Sequence, residues 1–344
     1  MDLHLWNSAK TVAAFRGRLR GIGPGSSRQT LTGMLGGAAV VLGAVALANH
    51  LMARRTERRH PPRGKFIKVD GIRLHYIEKG DGPSVVLLHG NGAMADDFEI
   101  SGVLDLVARD YRVIAFDRPG FGYSERPRTT VWTAGAQAAL IHKALRQLGI
   151  HRPVLVGHSW GTLVALSMAL DNRLDTAAVV LLSGYFVPSI RMDVPLMSGP
   201  AIPLLGDVLR YTISPLLGWL MAPGMFRKIF APSPVTARFQ SDFPIAMALR
   251  PWQIRASAAD TALMIPSAAA MLQRHGELTM PVVIMAGTDD KIVETGRQSG
   301  RLHRDVPNSD LRTMEGAGHM IHHIAPEQVV AAIKTAVDAS AATR

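Results

Sequence analysis

Cysteine is absent from the 344 residues. Disulfides, thiolate nucleophiles and zinc–thiolate centres are therefore excluded, while the lack of thiols fits either side of a membrane. A phosphate-cradling loop of the form G-x-x-x-x-G-K-[ST] is missing as well. No internal repeat or long low-complexity tract interrupts the chain. Net charge is lacking where a nucleic-acid-binding domain would need it. Residues 1–65 hold eleven Lys/Arg against two acids, and so nearly all of the net +11; the remainder is close to neutral. A basic stripe for nucleic acid has to lie on the folded domain, so no nucleic-acid partner is expected. What is present is 47% apolar, enough to bury a large core.

The run from Gln29 to Ala53 carries no Lys, Arg, Asp or Glu. Its centre, residues 31–52, is long enough as a helix to cross ~30 Å of hydrocarbon. We read it as a retained membrane helix between two basic flanks. A cleaved export signal ending at Ala46-Leu47-Ala48 competes with that reading. Arg54, Arg55, Arg58 and Arg59, just beyond it, resist translocation and oppose it. A helix packed on the protein itself is the remaining alternative. The near C-terminal flank has six Lys/Arg and the N-terminal flank four (Arg16, Arg18, Arg20 and Arg28). This small excess puts the body on the cytoplasmic side. Residues 1–64 are thus expected to form a basic arm, a membrane helix and a Pro/Gly linker.

From residue 65 the pattern changes. Phe66–Val69 and Arg73–Glu78 flank an Asp70-Gly71 turn and predict a hairpin. Short apolar runs follow at Ser84–Leu88, Tyr111–Phe116, Pro153–Val156, Ala177–Leu182, Pro281–Ala286 and Leu311–Met314. Such runs are expected of strands buried on both faces. Helical stretches, among them Thr133–Leu148 and Trp160–Leu170, alternate with them, which predicts a mainly parallel sheet of eight strands covered by helices. Residues 184–276 break the alternation. They show no strand pattern and contain four Asp but no Glu. Helices are predicted at Pro215–Met221, Pro223–Phe230 and Arg250–Leu272. The expected division is therefore a first core part (65–183), a helical insertion (184–276) and a second core part (277–344).

Chemistry is concentrated where strands end. Gly157-His158-Ser159-Trp160-Gly161 fits G-x-S-x-G, follows the run Val154-Leu155-Val156 and opens a helix. In that setting a sharp turn lifts the serine hydroxyl clear of the sheet. A hydroxyl is a poor nucleophile without a base. Candidates stand after the seventh and eighth strands: Asp289-Asp290 in Gly287-Thr288-Asp289-Asp290-Lys291-Ile292-Val293, and His319 in Gly316-Ala317-Gly318-His319. The imidazole would take the serine proton and one carboxylate would hold its tautomer. The residues alone do not choose between the two aspartates. After the third strand, His89-Gly90-Asn91-Gly92 would offer the backbone N–H of Asn91 beside that of Trp160 to a developing oxyanion. Asp117, in Asp117-Arg118-Pro119-Gly120-Phe121-Gly122, reads as a brace for a turn near that loop. His319-x-x-His322-His323 resembles a metal pattern, but no cysteine and no nearby carboxylate completes it, so neither a metal nor a cofactor is expected.

Taken in order, H-G-N-G, D-R-P-G-F-G-Y-S, G-H-S-W-G, G-T-D-D-K-I-V and G-A-G-H-M resemble the α/β-hydrolase fold superfamily over residues 65–340, in its serine-nucleophile branch with a cap. The resemblance implies that Asp290 is the acid of a Ser159–Asp290–His319 triad and that 184–276 is the cap. It also implies that Ser159 stands where similar dehalogenases and epoxide hydrolases carry Asp, which disfavours their chemistry. The expected activity is hydrolysis of an acyl bond, most simply a carboxylic ester, in a hydrophobic small molecule by a protein anchored to a membrane through one helix. C–C bond hydrolysis, amide or peptide hydrolysis and cofactor-free haloperoxidase or perhydrolase chemistry use the same triad. A non-catalytic ligand-binding protein could keep it as well.

Overall fold

The computed structural model describes residues 24–342; the part of the basic arm before Pro24 lies outside the described residues. The chain forms two compact units, one ending at Ala48 and one beginning at Asn49. The described part of the first belongs to a helix that runs from Pro24 to Arg59. Among the described residues this is the one helix long and apolar enough to cross a membrane, and none of its apolar window is buried. The body begins sixteen residues earlier than the predicted boundary at residue 65. The last turns of the helix are tied into it: Asn49 Nδ2 donates to the carbonyls of Tyr211 and Thr212, Glu57 pairs with Arg250 at 2.9 Å, and Tyr123 Oη donates to the His60 carbonyl.

The body is built on eight strands: β1 (Lys65–Val69), β2 (Ile72–Lys79), β3 (Ser84–Leu88), β4 (Arg112–Phe116), β5 (Val154–His158), β6 (Ala178–Leu182), β7 (Val282–Gly287) and β8 (Ser309–Met314). They lie in the order β1-β2-β4-β3-β5-β6-β7-β8. β1 and β2 form an antiparallel hairpin, and β2 runs antiparallel to β4. From β4 to β8 every pairing is parallel. The hairpin turns on Asp70 and Gly71, both at positive φ, as a two-residue connection that matches strand twist requires. β5 and β6 are buried at every position because helices cover both faces of the sheet. β8 starts two residues before its apolar run. It is an edge strand, so Ser309 and Asp310 can join the ladder while leaving one side to solvent.

Between β6 and β7 the described chain is helical, with main helices at Leu205–Tyr211, Ile213–Phe230 and Pro251–Met271. One proline departs from expectation. Pro223 divides the predicted Pro215–Met221 from Pro223–Phe230, yet one helix runs through it; Pro266 lies inside the last helix, which matches the predicted Arg250–Leu272 to within one residue at each end. Each proline removes one backbone donor, but the helix resumes beyond it.

The parallel strands place the connections after β3, β5, β7 and β8 along one edge. Those connections carry the residues singled out above.

Candidate active site

Ser159 sits between β5 and the helix Trp160–Asp171, at φ 50° and ψ −119°. A non-glycine residue seldom adopts this conformation, and it persists only where surrounding packing enforces it. Two glycines allow the packing. A Cβ on Gly161 would collide with the Leu88 carbonyl at the end of β3, and a Cβ on Gly90 would stand 3.2 Å from Ser159 Cβ. Helix, strand and the loop after β3 therefore meet closely at the serine. The Ser159 N–H donates to the Leu182 carbonyl at 2.8 Å, which fixes the turn to β6.

His319 Nδ1 is hydrogen-bonded to Asp290 Oδ2 at 2.7 Å, and both side chains are buried. The other oxygen of Asp290 accepts the N–H groups of Ile292 and Val293. Asp289 turns elsewhere and accepts the Thr288 hydroxyl. His158, next to Ser159, approaches His319 with ring centroids 5.1 Å apart, and its Nε2 lies 3.2 Å from the His319 carbonyl. His158 itself is unsuited to basic work. Burial, reinforced by His322 and His319, holds its imidazole well below the usual range, and no carboxylate meets its ring. The structure thus joins His319 to Asp290 and brings the residue before Ser159 against His319. No hydrogen bond links Ser159 Oγ to His319 in this ground-state geometry, a contact that often tightens only when substrate is bound.

The two expected oxyanion donors belong to the residue after the serine and to the loop after β3, whose Gly90 packs against Ser159. Trp160 is the first residue of its helix, where a backbone N–H has no partner within the helix. The Asn91 side chain is committed elsewhere: its Nδ2 donates to the Ser257 carbonyl and the Thr261 hydroxyl of the inserted helix Pro251–Met271. Its Oδ1 is buried without a partner but cannot donate, so the backbone N–H is the donor Asn91 has left for a reacting group.

A buried cation that was not singled out as functional secures this loop. Arg118 donates to the carbonyls of His89 and Gly90 and pairs with Asp260 at 2.6 Å, with neither side chain exposed. Asp260 also pairs with Arg126, and its carbonyl accepts the Trp160 indole N–H. The Arg118 guanidinium lies 4.6 Å from the rings of both Trp160 and Phe121. Burial, and after it the charge of Arg118, lowers His89 to about 4, so His89 stays neutral while its Nε2 accepts the Arg118 N–H. The clue in the sequence was Asp260, an unpaired acid within an apolar helical segment. Asp117 is turned away from His319: it accepts the N–H groups of Ala95 and Tyr123 and meets His75 at 2.7 Å.

The expectation that no carboxylate lies near His322 and His323 is corrected. Asp97 offers one oxygen to each imidazole Nε2, both at 2.9 Å. Burial alone would raise the Asp97 carboxyl, but His323 and His322 outweigh it and hold it well below its usual range. Among the described residues these three are the group whose donor atoms lie close enough to hold a metal. Both carboxylate oxygens already bond to an imidazole at hydrogen-bond length, so the pairing explains the cluster without an ion.

Residues 83–326 match a family model described as alpha/beta hydrolase fold. The chain is 28% identical over 273 residues to an uncharacterized hydrolase, YugF, of Bacillus subtilis, covering 76% of this chain and 93% of that one. It is 27% identical over 270 residues to haloalkane dehalogenase 2 of Mycobacterium tuberculosis, covering 76% and 90%. Among solved structures it is similar to a bacterial membrane phospholipase A, with TM-score 0.62, 19% identity, and coverage of 92% of this chain and 97% of that one.

Proposed function

The chain belongs to the α/β hydrolase fold family, and on that premise we propose that it hydrolyses a carboxylic ester of a hydrophobic small molecule through an acyl-enzyme on Ser159. The observation that carries the reading is the buried 2.7 Å bond between His319 Nδ1 and Asp290, set beside a serine held at φ 50°. With Nδ1 engaged, His319 has Nε2 left to take the Ser159 proton. The serine oxygen attacks the acyl carbon, and the carbonyl oxygen gains negative charge. Backbone N–H groups of Asn91 and Trp160 would hold that charge, each such donor contributing roughly 10²–10³ in rate. His319 then gives the proton to the departing alkoxide, and water, deprotonated by His319, releases the acid and frees the serine. The serine at position 159 favours this route over one that needs a carboxylate nucleophile.

Two further assignments belong to this reading. The inserted helices serve as a cap, supported by the bonds from Asn91 and Trp160 to the helix Pro251–Met271. The apolar helix anchors the protein in a membrane, supported by its length and the exposure of its side chains; the positive excess beyond it favours a cytoplasmic body.

A series of nitrophenyl esters of increasing chain length, hydrolysed by wild type and by Ser159→Ala, tests the proposal. The serine variant should lose roughly 10⁴-fold or more in kcat, and a fluorophosphonate probe should label wild type at Ser159. Unchanged turnover in the variant would remove the assignment.

A further inference from the structure

From residue 53 onward, the exposed large apolar side chains fall between Ile190 and Met225, apart from Phe66 and Val131. The helix Ile213–Phe230 is the clearest part of this face. It carries no charge before Arg227, yet it buries only Pro215, Ala222 and Phe230. Leu220 is 71% exposed and Leu216 61%. Isolated exposed leucines are ordinary in water-soluble proteins, but a contiguous apolar face of this extent marks an interaction surface.

Two observations identify what covers it. The first is covalent continuity. Asn49, where the body joins the apolar segment, donates its side-chain amide to the carbonyls of Tyr211 and Thr212, immediately before this helix. The root of the apolar face and the start of the body are thus fixed to each other. The second is charge. Arg54, Arg55, Arg58 and Arg59 are exposed on the turns after Asn49, and Arg227 and Lys228 are exposed where the apolar run of the helix ends. Cations at the margin of an apolar surface suit anionic lipid phosphates, and a tryptophan such as Trp219 suits the layer between headgroups and acyl chains.

We propose that the face spanning residues 190–225, centred on Leu216, Trp219 and Leu220, is immersed in the interfacial layer of a lipid bilayer, and that the enzyme takes its ester from that bilayer rather than from water. The proposal rests on the membrane-anchor reading of the helix Pro24–Arg59, and its test separates the two. The full chain is reconstituted in phosphatidylcholine–phosphatidylglycerol vesicles whose acyl chains carry bromine, a contact quencher of indole. The quenched part of the emission should shrink in Trp219→Phe. Leu216→Asp/Leu220→Asp should lose about tenfold or more in turnover of a long-chain ester dissolved in the vesicles, the loss expected from about 1.4 kcal/mol of apolar contact. The same variant should hydrolyse a water-soluble acetate ester as wild type does, which shows that it is folded.

Quenching that does not depend on Trp219 overturns the proposal. If the wild-type chain then still resists alkaline extraction from the vesicles, the anchor stands and only the immersed face is lost; extraction of the wild-type chain removes both. An unquenched Trp219 in a dimer that Leu216→Asp/Leu220→Asp disperses assigns the face to a second copy of the chain, and likewise overturns the proposal.

Discussion

The sheet and the helical insertion between β6 and β7 draw on similar apolar residues and use them in opposite ways. In β5 and β6 every side chain is buried, and the helix Trp160–Asp171 behind them is buried from Trp160 to Leu170. In the insertion, the helix Ile213–Phe230 leaves most of its apolar residues outside. Hydropathy alone therefore does not tell core from surface. Topology does: a strand between parallel neighbours has no free face, whereas an inserted helix touches the body along one stripe.

The largest effect that would sharpen this contrast is catalytic. Asp290→Asn should lower kcat by roughly 10⁴-fold, because the imidazole would lose the carboxylate that sets its tautomer. Asp289→Asn should leave kcat within a few-fold of wild type, since the Asp289 carboxylate accepts only the adjacent Thr288 hydroxyl, and the substitution keeps the backbone bond to Ala317. Steady-state kinetics on both variants would measure the difference, and equal losses would undo the choice of Asp290.

The join between the two regions comes next. Asp260→Ala strips the partner from two arginines with almost no exposed side chain, Arg118 and Arg126. Breaking such a buried pair should cost about 3–5 kcal/mol in denaturant unfolding. A loss under 1 kcal/mol would show that the two regions are held together by other contacts.

A direct comparison of leucines follows. Leu155→Ala, fully buried in β5, should cost about 2–5 kcal/mol. Leu220→Ala, mostly exposed, should stay within about 0.5 kcal/mol in detergent. Similar values for both would break the contrast.

The smallest effect is a pH dependence. Burial lowers both His89 and His322 to about 4, the latter with help from His323. An unfolded histidine titrates near 6.5, so below that pH the unfolded chain binds protons that the folded chain refuses, and stability falls with pH until about 4. Asp96 works the other way: burial, and then Asp117, raises it to about 6. These three groups alone should cost about 2 kcal/mol between pH 6.5 and 5, and the lowered His158 adds to the loss, seen as a Tm lower by several degrees in calorimetry. His322→Gln should flatten part of that slope.

How far the sequence could be read follows from the range of each interaction. Ser159, His319 and the Asn91 loop were legible because each follows an apolar strand and sits among glycines, which are local signals. The choice of Asp290 over Asp289 was not local; it depends on which carboxylate turns toward a loop 29 residues away, and came only from resemblance. Asp97 with His322 and Arg118 with Asp260 pair across 225 and 142 residues, and nothing in either local pattern announces the partner. Pro223 was read as a break because proline disfavours a helix interior locally, a preference that the surrounding helices override.

The Arg118–Asp260 pair also divides what is able to move from what is not. It bolts the helix Pro251–Met271 to the β3 loop, so a gate for the proposed ester would have to move the chain before Pro251, which includes Ile213–Phe230. For the proposed ester, entry would then leave the helix that carries Asp260 in place and shift the helices before it.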